Sequence, residues 1–200
     1  MNLELQIFAK VPTPGEVKTR LIPLLGAARA AQLQQRMTQQ MVEEAQASGL
    51  GSVVLYATPT LDHDSFQPLP LDGRYLQQGK DLGVRMATAI AQGLQRADAV
   101  LLMGADCPSL DRTVLHDVAQ ALQQQEVVFV PAEDGGYVLV AMRRLIPELF
   151  EGIAWGSSAV MAESSEVLNR LGVGWSQLPT LRDIDRPEDV ITLPKEWWSE

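Results

Sequence analysis

"LELQIF", residues 3–8, runs directly into "FAKVPTPGEVKTRL", Phe8 to Leu21. The first segment reads as a strand. The second would then be a loop at that strand's carboxyl end, which is where open α/β sheets bind ligands. It gathers Lys10, Lys18 and Arg20 beside Pro12, Pro14 and Gly15, in a chain whose formal net charge is −9. A cationic loop in so acidic a protein is local chemistry, not part of a basic face.

Working outward, more strand-length runs follow: "SVVLYA" (Ser52 to Ala57), "AVLLM" (Ala99 to Met103) and "EVVFV" (Glu126 to Val130). They are largely apolar throughout, as strands covered on both faces are. Between them apolar residues recur at helical spacing at Leu33, Met37, Met41 and Ala45, at Met86, Ile90 and Leu94, and at Leu115, Val118 and Leu122. The order βαβαβαβ with right-handed crossovers predicts an α/β fold: a three-layer, Rossmann-like, mostly parallel sheet with helices on both faces. "GGYVLVAM" follows "EVVFV" too closely for a helical crossover, so an antiparallel addition is expected. A helix over Ser157 to Leu171 and a late strand in "VGWSQL" complete the outline. There is no internal repeat, and residues 1–200 read as one domain. The Pro- and Asp-rich loop from Thr58 to Gly73 is expected to be irregular and mobile.

Composition narrows the function. A chain of 200 residues with 46% apolar content can bury a substantial core without staples. A pI near 4.7 argues against a nucleic-acid surface, which leans on many Lys and Arg contacts to phosphate. Cys107, the single cysteine, cannot form an internal disulfide. The amino terminus lacks the basic and apolar regions of a signal peptide, and no apolar run approaches membrane-spanning length. A cytoplasmic protein with no membrane span is expected, and a homodimer is left open.

Several segments offer chemistry. "PGEVKT" superficially suggests a phosphate loop of the Walker type, but Val17 stands where that motif needs glycine before its lysine. What remains is a Pro/Gly loop presenting two ammonium groups and a guanidinium, suited to a multiply charged anion or else simply solvated. In "LLMGADCPSL" an apolar strand ends at Gly104 and then presents Asp106, either a functional carboxylate or a turn residue. Ser109 or Asp111 could cap the helix beginning near Thr113. "RDIDRPEDV" supplies Asp183 and Asp185, with Pro187 at a helix start. Extended backbone would point both carboxylates to one side, and one or two aspartates with water and phosphate are how Mg²⁺ is usually held. A haloacid-dehalogenase-type phosphatase would carry such a D-x-D on its first strand, not near the carboxyl terminus. "PAEDGGYVLV" combines Glu133 and Asp134 with two glycines that allow close backbone approach, or else forms a tight inter-strand turn. His63 and His116 fit no metal pair or nucleophile triad. Cys107 beside Asp106 is a poor thiolate. Trp197 and Trp198 serve packing or a contact surface.

In that order, "FAKVPTPGEVKTRL", "QQGKDLGVRM", "GADCPSL", "PAEDGGYVLVA", "FEGIAWGSSAV" and "DIDRPEDV" closely resemble a family of small bacterial glycosyltransferases in the nucleotide-diphospho-sugar transferase superfamily, some linked to arsenosugar biosynthesis. That family is similar to phospholactate guanylyltransferase and to molybdenum-cofactor nucleotidylyltransferases. The resemblance spans nearly the whole chain and implies a GT-A-like sheet. It implies Lys10, Gly15, Lys18 and Arg20 near the phosphates of a nucleotide, with Gly83 and Arg85 lining the nucleotide side. Asp106 and Asp185, with Asp183 beside them, would hold Mg²⁺ or Mn²⁺. Glu133, Asp134, Gly135 and Gly136 would face the sugar or acceptor, with Trp155 and Ser157 at the rim. Relatives commonly carry Ser or Thr and then Pro after that Trp, whereas here Gly156, Ser157 and Ser158 follow, and "GADCP" stands for the commoner "GSDCP".

The implied chemistry is metal-assisted glycosyl transfer from a nucleotide-diphospho-sugar to an acceptor, with Asp106, Lys18 and Arg20 as the catalytic set and no covalent nucleophile. The first alternative is a guanylyltransferase-like nucleotidyltransferase that releases pyrophosphate. The second is a non-catalytic nucleotide-binding module, which would keep the cationic loop but have no need of Asp106, Asp183 and Asp185 together.

Overall fold

The strands are β1 (Leu3–Lys10), β2 (Gly51–Thr58), β3 (Gly73–Leu76), β4 (Ala99–Gly104), β5 (Val127–Pro131), β6 (Tyr137–Met142) and β7 (Trp175–Gln177), seen in a computed structural model that describes residues 1–198. They form one seven-stranded sheet in the order β3-β2-β1-β4-β6-β5-β7. β1 runs parallel to β2 and β4, and β2 parallel to β3. β6 is antiparallel to both β4 and β5, and β7 returns to the parallel sense beside β5. This is the mostly parallel α/β sheet with an antiparallel addition that the run spacing predicts.

Helices α1 (Ile22–Leu25), α2 (Ala27–Ser48), α3 (Leu82–Gly93), α4 (Arg112–Ala121), α5 (Val160–Leu171) and α6 (Pro187–Val190) complete the chain. Alternation along β1 sends Leu3, Leu5, Ile7 and Ala9 into a core shared with Met41 and Val42 of α2 and Leu115 and Val118 of α4. The opposite sheet face buries Val54, Tyr56, Val100 and Val140 against Met86 and Ile90 of α3 and Leu168 of α5. Asp81 caps α3 by accepting from the Val84 N–H at 2.9 Å. Asp111, one of the two candidate caps, accepts from the N–H groups of Thr113 and Val114 at 2.9 and 3.0 Å and starts α4.

A third core cluster joins Leu21, Leu25, Leu33 and Met37 to Ile184, Val190 and Leu193, tying the carboxyl-terminal segment to the far end of the cationic loop. Trp197 and Trp198 pack against this cluster, and the Arg36 guanidinium lies 4.8 Å over the Trp197 ring.

The segment after β2 is irregular, as expected, but well packed. A 3₁₀ turn at Asp64–Phe66 buries Phe66, Leu69 is buried too, and the Arg74 guanidinium donates to the carbonyls of Phe66, Gln67 and Leu69. The loop therefore follows a defined, packed path that ends in β3, a strand too short and too glycine-marked to read from sequence. α5 starts at Val160, not at Ser157, because the Ser157 Oγ accepts from the Ala159 N–H and closes a turn first. β1 also hides an ion pair. Glu4 is buried, with its carboxylate held by Arg96 Nε at 2.7 Å and Nη2 at 2.8 Å and by Gln6 Nε2 at 2.8 Å.

Candidate active site

Three loops meet at the carboxyl ends of β1 and β4. The loop after β1 brings Lys18, whose Nζ lies 3.1 Å from Asp106 Oδ2 in the loop after β4. Lys18 adopts left-handed backbone, φ 47° and ψ 42°, a region that costs a non-glycine residue about 1 kcal/mol. Its side chain is 6% exposed whereas that of Asp106 is 38% exposed, so the ammonium is held from below and the carboxylate faces solvent. Arg20, further along the same loop, pairs with Asp185.

The third loop is registered by backbone. The Ile184 N–H donates to the Asp106 carbonyl at 2.9 Å, and the Ile184 side chain is only 2% exposed in the third core cluster. The acids on either side of Ile184 are thereby placed at the cleft. Asp189 Oδ2 accepts from the N–H groups of Asp185 at 3.1 Å and Arg186 at 2.7 Å, which fixes the backbone that carries Asp185.

Three adjoining lobes surround these acids. The first, about 660 Å³, is lined by Lys10, Lys18, Arg20, Arg85, Asp106 and Asp185 among others. The second, about 220 Å³, has walls from Leu82, Met86, Tyr137, Val138, Trp155 and Val160, with Asp106, Asp134, Asp183 and Ser157 as its polar groups. The third, about 440 Å³, is charged, with Arg20, Glu133, Arg182, Asp183 and Asp185 on its wall. Asp106 is common to the first two lobes, Asp183 to the last two, and Asp185 to the first and third.

The remaining candidates fall around this centre in distinct ways. Lys10 is exposed at the end of β1, and the Arg85 Nε donates to the Gly79 carbonyl at 3.0 Å while its side chain lines the first lobe. Glu133 binds Arg182 at 2.7 Å on the third lobe. Gly136 lines the second lobe and donates its N–H to Asp134 Oδ1 at 2.9 Å. Gly135 takes φ 90°, and a Cβ there would overlap the Ser158 carbonyl. Gly15 is exposed at a turn with φ 89°, outside the lobe walls. Gly83 is buried and also outside the walls, set against the Phe150 carbonyl and the Trp155 ring. Thr58, Gln77 and Leu82 also line the first lobe; Gln77 and Leu82 fall within "QQGKDLGVRM", but no role was expected of any of the three. Their only signal is position, two at or after strand ends and one just inside the Asp81 cap.

Charge crowding is concentrated at Asp183. Burial pushes its carboxyl up to about 6, the charges of Asp106 and Asp134 push the same way, and Lys18 opposes them. Burial, with Asp106 second, raises the Cys107 thiol to about 12, so no thiolate nucleophile is available. Burial likewise raises Tyr137, which stays neutral as a wall of the second lobe. His63 is engaged by Ser65 at 2.8 Å, and His116 is exposed on α4; neither lines a lobe. Among the described residues no group of three or more His, Cys, Asp or Glu stands preassembled to hold a metal ion. Asp106, Asp183 and Asp185 nevertheless suit a hard divalent cation: they are oxygen donors, and Asp183 carries negative charge that its protein neighbours leave poorly compensated.

Comparison with known proteins bears on the fold. A crystal structure from Desulfovibrio desulfuricans G20, provisionally named a nucleotide-diphospho-sugar transferase, is 31% identical, covering 93% of this chain and 84% of its own, with a TM-score of 0.86. CMP:2-keto-3-deoxy-manno-octonic acid synthetase complexed with CTP is 11% identical over 96% of each chain, with a TM-score of 0.62. Rv0371C of Mycobacterium tuberculosis H37Rv, in complex with manganese, is 14% identical, covering 96% of this chain and 98% of its own, with a TM-score of 0.55. The last two share the fold alone. A search of curated proteins returned no match. Fold and likeness define the class, that of the nucleotide-diphospho-sugar transferases. Within it the chain belongs to the family described as "Uncharacterized protein conserved in bacteria (DUF2064)", matched over residues 38–157.

Proposed function

We propose that the protein is a metal-assisted transferase using a nucleotide-activated donor, with glycosyl transfer from a nucleotide-diphospho-sugar as its reaction. One observation carries this: Lys18, Arg20, Asp106 and Asp185 line one cleft, each cation paired with a carboxylate. A diphosphate entering the first lobe can recruit Lys10, Lys18 and Arg20 as charge-assisted donors. The carboxylates they release are oxygen ligands, so Asp106 and Asp185, with Asp183 adjacent, would hold Mg²⁺ or Mn²⁺. Bound there, the ion supplies Lewis-acid stabilisation of the negative charge on the departing diphosphate. Lys18 and Arg20 act on the same charge, already held at the cleft by their carboxylate partners before substrate arrives. In the second lobe Trp155 and Tyr137 offer apolar wall, and Asp134 and Asp183 are the carboxylates that would accept from hydroxyls of the sugar or acceptor.

Nucleotidyl transfer, attacking an α-phosphate, is the second reading. It is favoured by the near-complete overlap with a synthetase complexed with CTP. A passive nucleotide-binding module gains nothing from three aspartates around the cleft, which weighs against it. A thermal-shift panel of nucleoside triphosphates and nucleotide sugars, with and without Mg²⁺, tests the proposal. Saturation at about 100 times Kd is expected to add roughly 2.7 kcal/mol of stability. Product analysis then separates the chemistries, nucleoside diphosphate indicating sugar transfer and pyrophosphate indicating nucleotidyl transfer. Metal-independent shifts without turnover would support the binding module, and the absence of any nucleotide shift would sink all three.

A further inference from the structure

Gly83 lies in the first turn of α3, next to Leu82, which lines both the first and the second lobes. Its own surface looks elsewhere. A Cβ at Gly83 would come within 2.5 Å of the Phe150 carbonyl oxygen and of Trp155 Nε1, and within 3.0 Å of Trp155 Cε2. Real Cβ atoms do not approach so closely, so glycine here is the condition for the Trp155 ring to sit where it does. Trp155 in turn meets Tyr137 edge-on, ring centroids 6.3 Å apart at 87°, and Tyr137 packs on Phe129 at 5.1 Å. Trp155 and Tyr137 are walls of the second lobe.

A second contact holds the same segment from the other side. The Gly135 carbonyl accepts from the Met161 N–H at 2.9 Å, and Gly135 sits directly against Ser158. Between these two holds, residues 151–159 have no helix or strand of their own. Their path, and so the shape of the lobe, depends on the close approach that the missing side chains of Gly83 and Gly135 permit, together with the Ala154 N–H donating to Glu163 Oε2 at 2.9 Å.

We infer that Gly83 is a positioning residue for the second lobe: it seats Trp155 and thereby sets which sugar or acceptor moiety fits, while leaving the nucleotide untouched. This rests on the proposed transferase reading for what the lobes hold, and it moves Gly83 from the nucleotide side, where resemblance alone would put it, to the acceptor side. The ligand class follows from the walls. A lobe of about 220 Å³ lined by an indole, a phenol and the carboxylates of Asp134 and Asp183 takes one small hydroxylated group with an apolar face, about the size of a single sugar ring.

The test uses full-length protein with ¹⁵N-labelled tryptophan. The four indole N–H signals are recorded for wild type, for Gly83→Ala and for Trp155→Phe, the last assigning Trp155. Gly83→Ala is expected to displace the Trp155 signal, to leave the midpoint of the stabilising nucleotide within twofold of wild type, and to raise KM for the acceptor at least tenfold. An unmoved Trp155 signal, or a tenfold loss of nucleotide affinity with that signal in place, overturns the inference. Should Gly83→Ala fail to fold, Trp155→Ala carries the same test with the backbone at residue 83 unaltered. It is expected to keep nucleotide affinity within twofold and to shift selectivity toward a bulkier transferred or accepted group, and a tenfold loss of nucleotide affinity there overturns the inference as well. If no nucleotide binds wild type, the transferase reading fails, and the Trp155 signal still decides whether Gly83 seats the ring.

Discussion

At Lys18 and Asp106 the protein shows an ion pair that, on the proposed reading, an incoming diphosphate would open. The lysine is almost fully covered, so its ammonium is already aimed and needs no reordering when a phosphate oxygen replaces the carboxylate. Removing the charge of Asp106 while keeping its shape isolates that role. Asp106→Asn is expected to cut turnover by about 10² to 10³, the usual cost of losing one preorganised electrostatic partner. Initial rates at saturating donor would read this, and near-normal turnover would refute the assignment. Asp183 makes a pH-dependent prediction. Its folded value near 6 stands above the ordinary 3.8, so between those values the folded chain holds a proton that the unfolded chain has lost. Its contribution to stability is therefore most favourable below about pH 4 and declines as pH rises through that window. Asp183→Asn should raise the unfolding midpoint at pH 7.5, by about 1 kcal/mol once partial exposure is allowed for, and should give no gain at pH 4. Equal midpoint changes at both pH values would mean the carboxyl is not strained.

At the level of elements, the carboxyl-terminal loop is the part most dependent on a single side chain. Ile184 sits between Asp183 and Asp185, buried in the cluster that α1 and α2 complete, while its N–H is bonded to the Asp106 carbonyl. Ile184→Ala should cost about 2–4 kcal/mol for the cavity it leaves and weaken metal-dependent nucleotide stabilisation more than metal-independent binding. Chemical denaturation and the thermal-shift panel would measure the two effects, and an unchanged Mg²⁺ dependence would argue that Asp185 and Asp183 are placed some other way. In sequence only the alternation of Asp183 and Asp185 along extended backbone was legible; the anchoring role of Ile184 was not. β3 was not: "GRYL" carries no alternation, and its pairing with Val54 to Ala57 is decided by Phe66 and Arg74 packing the loop before it. The same contrast runs through the site. Lys18, Arg20, Asp106 and Asp185 announce themselves by charge in the loops that follow strands. The walls of the second lobe come from Leu82, Met86, Tyr137 and Val160, which in sequence are indistinguishable from core, and Gly83 acts through a contact 72 positions away that no local pattern encodes.

Across the whole molecule, binding chemistry and fold stability occupy opposite ends of the sheet. The cleft lies beyond the carboxyl ends of β1 and β4, whereas Glu4, paired in register with Ser52 and Val100, sits near their amino ends. Its carboxylate is 1% exposed and takes both its charge-assisted bonds from Arg96, whose guanidinium also donates to the Tyr56 hydroxyl at 3.3 Å and lies 4.9 Å over the Tyr75 ring. That pair staples α3 and its following turn to β1, β2 and β3 at once. Removing one partner leaves a buried charge without compensation, a change that commonly costs 3–5 kcal/mol. Arg96→Met is therefore expected to lose about that much in denaturant-induced unfolding, and restoring neutrality with Glu4→Gln in the same chain should recover part of it. Because the six residue steps from Glu4 to Lys10 span about 20 Å of strand, the nucleotide-induced stabilisation of folded Arg96→Met should match wild type. A loss of nucleotide affinity in proportion to the loss of stability would show instead that the two ends of the sheet are coupled.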